Sequence, residues 1–217
     1  MKLFIDSGHL PDIAALVPLG IIDGVTTNPS LLAKEDANPS DLLKQICDTV
    51  QGPVSAEVVA TDSEGMIREG RELARIDDHI VVKVPFGKAG VTACRALTAE
   101  DIRVNVTLVF SPTQALLAAK VGAAYVSPFV GRLDDIATSG LDVVGQIVEI
   151  YDNYEFLTEV LVASVRGPMH LVEAARLGAD ICTCPPAVID AAFKHPLTDI
   201  GLERFLKDWE QARAARV

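Results

Sequence analysis

The sequence predicts a (β/α)8 barrel with an extra C-terminal helix. Two observations carry that prediction. Eight short apolar runs recur along 217 residues, with helical patterns between them. Strands that alternate with helices imply parallel βα units. Eight such units exceed the five or six strands of a flavodoxin-like sheet and suit a barrel near the lower end of its size range.

The runs come in order as KLFID (2–6), DGVTTN (23–28), VSAEVV (54–59), IVVKVP (80–85), RVNVTLVF (103–110), AYVSPF (124–129), EVLVASVR (159–166) and ICTC (181–184). Between them, DLLKQICDTV and EGMIREGRELARI carry apolar residues at three- and four-residue spacing, as helices do. SPTQALLAAKVG opens on Ser111 as an N-cap, puts Pro112 at the first helical position and stops at Gly122. GPMHLVEAARLG ends on a glycine in the same way. No linker or low-complexity segment divides residues 1–217, so one barrel domain is expected. Its last piece, 198–217, reads as a helix with Ile200, Leu202, Phe205, Leu206 and Trp209 on one stripe. Such a stripe needs a cover, either this barrel or a neighbouring subunit.

Composition narrows the partners. The net charge of −11 argues against a nucleic-acid binder, since phosphate backbones need a basic surface. No apolar run approaches the ~20 residues of a membrane span, and the opening MKLFIDSG turns polar too soon for a signal peptide. Cys47, Cys94, Cys182 and Cys184 form neither a disulfide framework nor a paired metal motif. They read as buried thiols in a reducing, cytoplasmic protein, with no metal site.

The strand that raises the functional question is the fourth. It places Lys83 among valines. In a barrel strand, side chains alternate between the interior and the helices, and active sites lie at the strands' C-terminal ends. If Lys83 points inward, Val82 and Val84 face the helices. On strand five, Val104, Val106 and Leu108 form the outer set and Asn105 and Thr107 point in. Strand one ends with Asp6 inward. Strand two ends with Thr26 and Asn28 on one face. Strand three offers Glu57 between Ala56 and Val58, strand six Ser127 between Val126 and Pro128, and strand seven Ser164 and Arg166 alternating with Ala163 and Val165. Seven of eight strands therefore present a polar residue where a barrel normally packs bulky apolar ones. Taken singly, each has a plain structural reading. Asp6 can cap a helix, and Glu57 with Lys83 can be an ion pair. Their convergence favours a site, because burying such a set needs partners for every group.

The chemistry this set suits is covalent. A lysine in low dielectric loses proton affinity and becomes a nucleophilic amine. It can attack a carbonyl to form a Schiff base, whose imine then draws electrons from the adjacent carbon. Two proton shuttles are needed: one for loss of water from the carbinolamine, which suits the neighbouring Glu57, and one for the hydroxyl beside the cleaved bond, which suits Asp6. Thr107 and Ser127 can orient water or hydroxyls. Arg132 in VGRLDD and Arg166 in SVRG lie just past strands six and seven, where barrels commonly bind phosphate and where arginine's forked donors fit it. Alone, each arginine reads as a surface salt-bridge partner, Arg132 with Asp134 or Asp135. The four histidines fall in loops or helices and suggest no role.

GVTTNPSLLAK (24–34), VKVP (82–85), the long NVTLVFSPTQALLAAKVGAAYVSPFVGRLDD (105–135) and ASVRG (163–167) together resemble the small single-domain transaldolases and their fructose-6-phosphate aldolase relatives. The resemblance implies a Schiff-base Lys83, with Asp6 and Glu57 as acid/base carboxylates. It implies that Asn28, Thr107 and Ser127 hold water and the dihydroxyacetone unit, and that Arg132, Ser164 and Arg166 hold phosphate. It implies no cofactor, pentameric or decameric assembly with the C-terminal helix on a neighbour, and a place in the pentose phosphate pathway. Its substrates would be fructose 6-phosphate, sedoheptulose 7-phosphate, erythrose 4-phosphate and glyceraldehyde 3-phosphate. The aldolase branch tends to carry glutamine at Glu57 and tyrosine at Phe129, so this chain looks like the transaldolase branch. An aldolase releasing dihydroxyacetone is the nearest alternative, and a non-catalytic sugar-phosphate-binding barrel is a remoter one.

Overall fold

Eight parallel strands close on themselves in sequence order. The computed structural model describes residues 1–214. The strands are β1 (Lys2–Asp6), β2 (Gly24–Thr26), β3 (Val54–Glu57), β4 (Ile80–Pro85), β5 (Val104–Val109), β6 (Tyr125–Pro128), β7 (Glu159–Val162) and β8 (Ile181–Cys184). Helices fill the crossovers: α1 (Leu10–Leu16), α2 (Pro29–Leu32), α3 (Pro39–Val50), α4 (Ser63–Ala74), α5 (Lys88–Thr98), α6 (Pro112–Lys120), α7 (Val130–Asp134), α8 (Gly140–Asn153), α9 (Pro168–Arg176), α10 (Pro186–Ala192) and α11 (Pro196–Ala214). The (β/α)8 fold is the one expected. Helix starts follow the local chemistry: Ser111 accepts from the Gln114 N–H ahead of Pro112, and Asn28 accepts from the Leu31 N–H ahead of Pro29. Among the described residues no helix is long and apolar enough to cross a membrane.

Alternation splits each strand between two cores. Ile5, Val25, Val54, Val82, Val84, Val104, Val106, Val126, Val160, Val162, Cys182 and Cys184 pack outward, under the helices. Phe4, Val81, Tyr125, Leu161, Ala163 and Ile181 pack inside the barrel. The Phe4 and Tyr125 rings meet edge to face, 6.3 Å between centroids. This inner cluster plugs the lower barrel. Gly24 makes room for it, since a Cβ there would lie 2.7 Å from the Phe4 ring. One step further along the strands the interior turns polar. That boundary positions the site.

Two strands break the expected alternation. On β5, Leu108 adopts φ 57°, and the pairing with β6 slips between Val106 and Val109. This is a bulge of one extra residue. Leu108 therefore leaves the outer set and turns to the barrel mouth, while Val109 takes the buried outward place. On β7 the inward residues are Leu161 and Ala163, not Ser164. The strand stops at Val162, and Ser164 at φ 60° reverses the chain so that its side chain reaches the interior from beyond the strand end.

The C-terminal helix begins at Pro196, two residues earlier than expected, and the last three residues of the expected 198–217 span lie outside the described residues. None of its residues is buried. Ile200, Leu202, Phe205, Leu206 and Trp209 are each more than half exposed.

Candidate active site

Lys83 sits at the centre of the polar layer. Register places it between Glu57 on β3 and Asn105 on β5. Its side chain is 6% exposed, and its Nζ lies 3.0 Å from Glu57 Oε2. The ammonium also donates to the Thr27 carbonyl at 3.1 Å. The amine is thus held by Glu57 at the end of β3 and by the backbone just past β2, and is aimed into the barrel. Below it, Asn105 donates to the Ser55 hydroxyl at 3.1 Å and accepts from Ser127 at 2.8 Å. Buried Ser and Asn side chains in this layer are therefore partnered, as burial requires. The Thr107 hydroxyl is different: it is buried and, among the described residues, has no hydrogen-bond partner. Thr107 is not among the residues that line the cavity shared by Lys83 and Asp6, but its lone buried hydroxyl has donor and acceptor capacity to spare.

Asp6 approaches from the other side of the barrel. It is paired in register with Thr26, whose hydroxyl donates to Asp6 Oδ1 at 2.7 Å. Thr26 has one proton and gives it to Asp6, so Thr183, 2.7 Å away, donates to Thr26. Burial pushes the Asp6 carboxyl above the usual carboxylate range, against the pull of the Thr26 hydrogen bond and the Lys83 charge. Asp6 does not cap α1, whose first residue follows His9 with no side-chain cap.

These groups share one cavity of about 210 Å³ at the strands' C-terminal end. Asp6, Asn28, Lys83, Ser127, Phe129, Arg132, Ser164 and Arg166 all line it, with Thr26 and Thr183. Glu57 opens instead on the wider mouth above, which Lys83 shares with Leu108, Phe129, Arg132 and Arg166. Thr183 belongs to the polar ring, although ICTC reads as an apolar thiol strand. Its signal was the alternation itself: Ile181 and Thr183 share one face, and Cys182 and Cys184 the other. The two thiols lie 3.7 Å apart, both buried.

The two arginines are held differently. The Arg132 guanidinium lies over the Phe129 ring, 5.0 Å from its centroid, and Phe129 is braced edge-on by Phe110 at 5.9 Å. The carboxylates expected to pair with Arg132 are engaged elsewhere. Asp135 binds Arg166 at 2.7 Å and Asp134 meets His170 at 3.1 Å. Both cationic heads stay exposed at the rim of a protein that is otherwise acidic.

Polar groups gathered on one cavity at the strand ends, over a floor of packed aliphatic and aromatic side chains, place this chain among the barrel enzymes that work at that end. Sequence supplies the narrower identity. The sequence profile of the family described as transaldolase/fructose-6-phosphate aldolase matches residues 3–216, so the chain belongs to that family. It is similar to a probable transaldolase from Syntrophobacter fumaroxidans, 58% identical and covering 100% of both chains. It is also similar to probable transaldolases from Aquifex aeolicus, 57% identical over 97% of both chains, and Nitrosopumilus maritimus, 55% identical over 99% of this chain and 97% of the relative. Among solved structures, thiamine phosphate pyrophosphorylase from Pyrococcus furiosus superposes with a TM-score of 0.60 at 16% identity, over 88% of this chain and 89% of that one. That likeness concerns the fold alone.

Proposed function

We propose that this chain is a transaldolase that carries a dihydroxyacetone unit on Lys83. The observation that supports this best is the buried Lys83, paired with Glu57 at 3.0 Å and sharing one cavity with Asp6. The Lys83 ammonium passes a proton to Glu57, and the freed amine attacks the ketone of fructose 6-phosphate or sedoheptulose 7-phosphate. Glu57 gives the carbinolamine hydroxyl a proton, and water leaves to form the iminium. Asp6 takes the proton of the hydroxyl beside the scissile bond. That C–C bond breaks, its electrons pass into the iminium as an enamine, and an aldose phosphate leaves. A second aldose phosphate, erythrose 4-phosphate or glyceraldehyde 3-phosphate, accepts the unit by the reverse sequence. Asn28, Thr107 and Ser127 hold the three-carbon unit and the water. Ser164, Arg132 and Arg166 hold the phosphate. The imine is the electron sink, so the reaction as proposed needs no added cofactor. In this reading the chain acts in the pentose phosphate pathway, in the cytoplasm.

The aldolase branch is distinguished by one experiment. Glyceraldehyde 3-phosphate release from fructose 6-phosphate is followed with and without erythrose 4-phosphate. A transaldolase gives multiple turnovers only with the acceptor, because the enamine keeps its fragment until an aldehyde arrives. Sustained release without acceptor makes the chain an aldolase, and means that Glu57 and Phe129 do not select the branch.

The exposed apolar stripe on α11 supports a second part of the proposal, that several copies assemble with each α11 covered by a neighbouring subunit. Five or ten chains per particle is the expected sedimentation result. A monomer at micromolar concentration removes this part.

A further inference from the structure

We propose that His170, outside the reacting groups, is a positioning residue for the anion rim: it locks the segment carrying Arg166 to the helix carrying Arg132. The inference rests on the reading above that these arginines hold the substrate's phosphate.

His170 lies in the first turn of α9 and is 18% exposed at its side chain. Its Nδ1 accepts the Arg166 backbone N–H at 3.2 Å. The ring proton is therefore on Nε2, which lies 3.1 Å from Asp134 Oδ2 on α7. The other oxygen of Asp134 accepts the N–H of Gly140, the first residue of α8, at 3.0 Å. One continuous strut thus runs from the α8 start through Asp134 and His170 to the backbone of Arg166. It crosses the short helix on which Arg132 sits, two residues before Asp134.

Three further features show how much this seam is asked to hold. Gly131 N–H donates to the Ser164 carbonyl at 3.0 Å. The Arg166 side chain passes so close over Gly131 that a Cβ there would lie 2.5 Å from its Nε. Ser164, two residues before Arg166, is in the left-handed region, a conformation that persists in a non-glycine only when its surroundings impose it. The Arg166–Asp135 ion pair across the seam is more than half exposed at both ends and contributes little in water. The less exposed His170–Asp134 link is then the side-chain brace that fixes the Arg166 segment. It touches neither Lys83, Asp6 nor Glu57, so its loss affects phosphate recognition and leaves the chemical step alone.

The test compares glyceraldehyde 3-phosphate with unphosphorylated glyceraldehyde as acceptor, and measures inhibition by inorganic phosphate. His170→Ala is expected to raise KM for the phosphorylated acceptor by about 10-fold, the scale of a small displacement of a binding group. It weakens phosphate inhibition by a similar factor and changes neither kcat nor the KM for glyceraldehyde. His170→Asn keeps an acceptor for the Arg166 N–H and recovers part of the loss. Asp134→Asn breaks the strut from its other end, and decides the matter alone if His170→Ala does not fold. Unchanged KM and phosphate inhibition in these variants overturn the proposal, as does an equal loss with both acceptors. Arg166→Ala separates the two readings. If it leaves the preference for phosphorylated acceptor intact, the rim does not hold phosphate and both fall. If it removes the preference while His170→Ala and Asp134→Asn do not, only the role of His170 falls.

Discussion

Lys83→Met is expected to lose all covalent capture of fructose 6-phosphate under borohydride, with turnover down by about four orders of magnitude or more. Methionine matches lysine in length and leaves the barrel closed, but it has no amine to add to a carbonyl. Its cost to the fold comes from Glu57. In the native barrel that carboxylate faces the ammonium at 3.0 Å, with only 14% of its side chain exposed. Removing one partner of a buried pair costs about 3–5 kcal/mol, because the other charge is left uncompensated. For a chain of this size that is a loss on the order of 10 °C in Tm. The double variant Lys83→Met/Glu57→Gln removes both charges and is expected to recover most of the stability, while capture stays lost. Mass spectrometry after borohydride treatment and thermal melts of both variants make the measurement. A substrate adduct on Lys83→Met sinks the Schiff-base assignment. A double variant no more stable than the single one means that the pair is not what Glu57 depends on.

The strand periodicity read from sequence carries this far because period two is a strong constraint once one face must be apolar. Val82 and Val84 outward force Lys83 inward, and Ile5 outward forces Asp6 inward. The same logic fails where the backbone leaves the β region. Leu108 and Ser164 have positive φ without being glycine, and nothing in VTLVF or VASVR announces it. At Leu108 the bulge moves the buried outward place to Val109. At Ser164 the chain turns back, so a residue of outward parity still reaches the cavity. Both irregularities sit at the barrel mouth, where bulges and strained residues re-aim side chains. Long-range polar partners are hidden for a different reason. That Asp134 serves His170 and that Thr183 serves Thr26 depends on which loops and strands the closed barrel brings together. Sequence order alone pairs neither.

Asp6 shows how function and stability oppose each other in this site. Asp6→Asn is expected to lower turnover by about 10²–10⁴-fold, the usual worth of a positioned acid/base group. It is also expected to stabilise the protein at neutral pH by on the order of 1 kcal/mol, as substitutions at functional sites often do. The sign follows from linkage. Burial raises the folded-state pKa of Asp6 above its unfolded value, despite Thr26 and Lys83. The folded chain therefore binds this proton more tightly than the unfolded one. That contribution is complete below the unfolded carboxyl pKa of about 3.9 and is lost as pH rises through the raised folded value. At pH 7, above the unfolded pKa, the burial of Asp6 is a cost that asparagine does not carry, since its amide oxygen can still accept from Thr26. The gain in Tm for Asp6→Asn should be present at pH 7 and shrink steadily towards pH 4. A variant no more stable than the native chain at pH 7 means that burial of Asp6 is not penalised. A loss of turnover below tenfold means that Asp6 is not the shuttle. The two results belong together, because the burial that weakens the fold also brings the carboxyl nearer the working pH. There it can take a proton from the substrate hydroxyl and give it back when the acceptor bond forms.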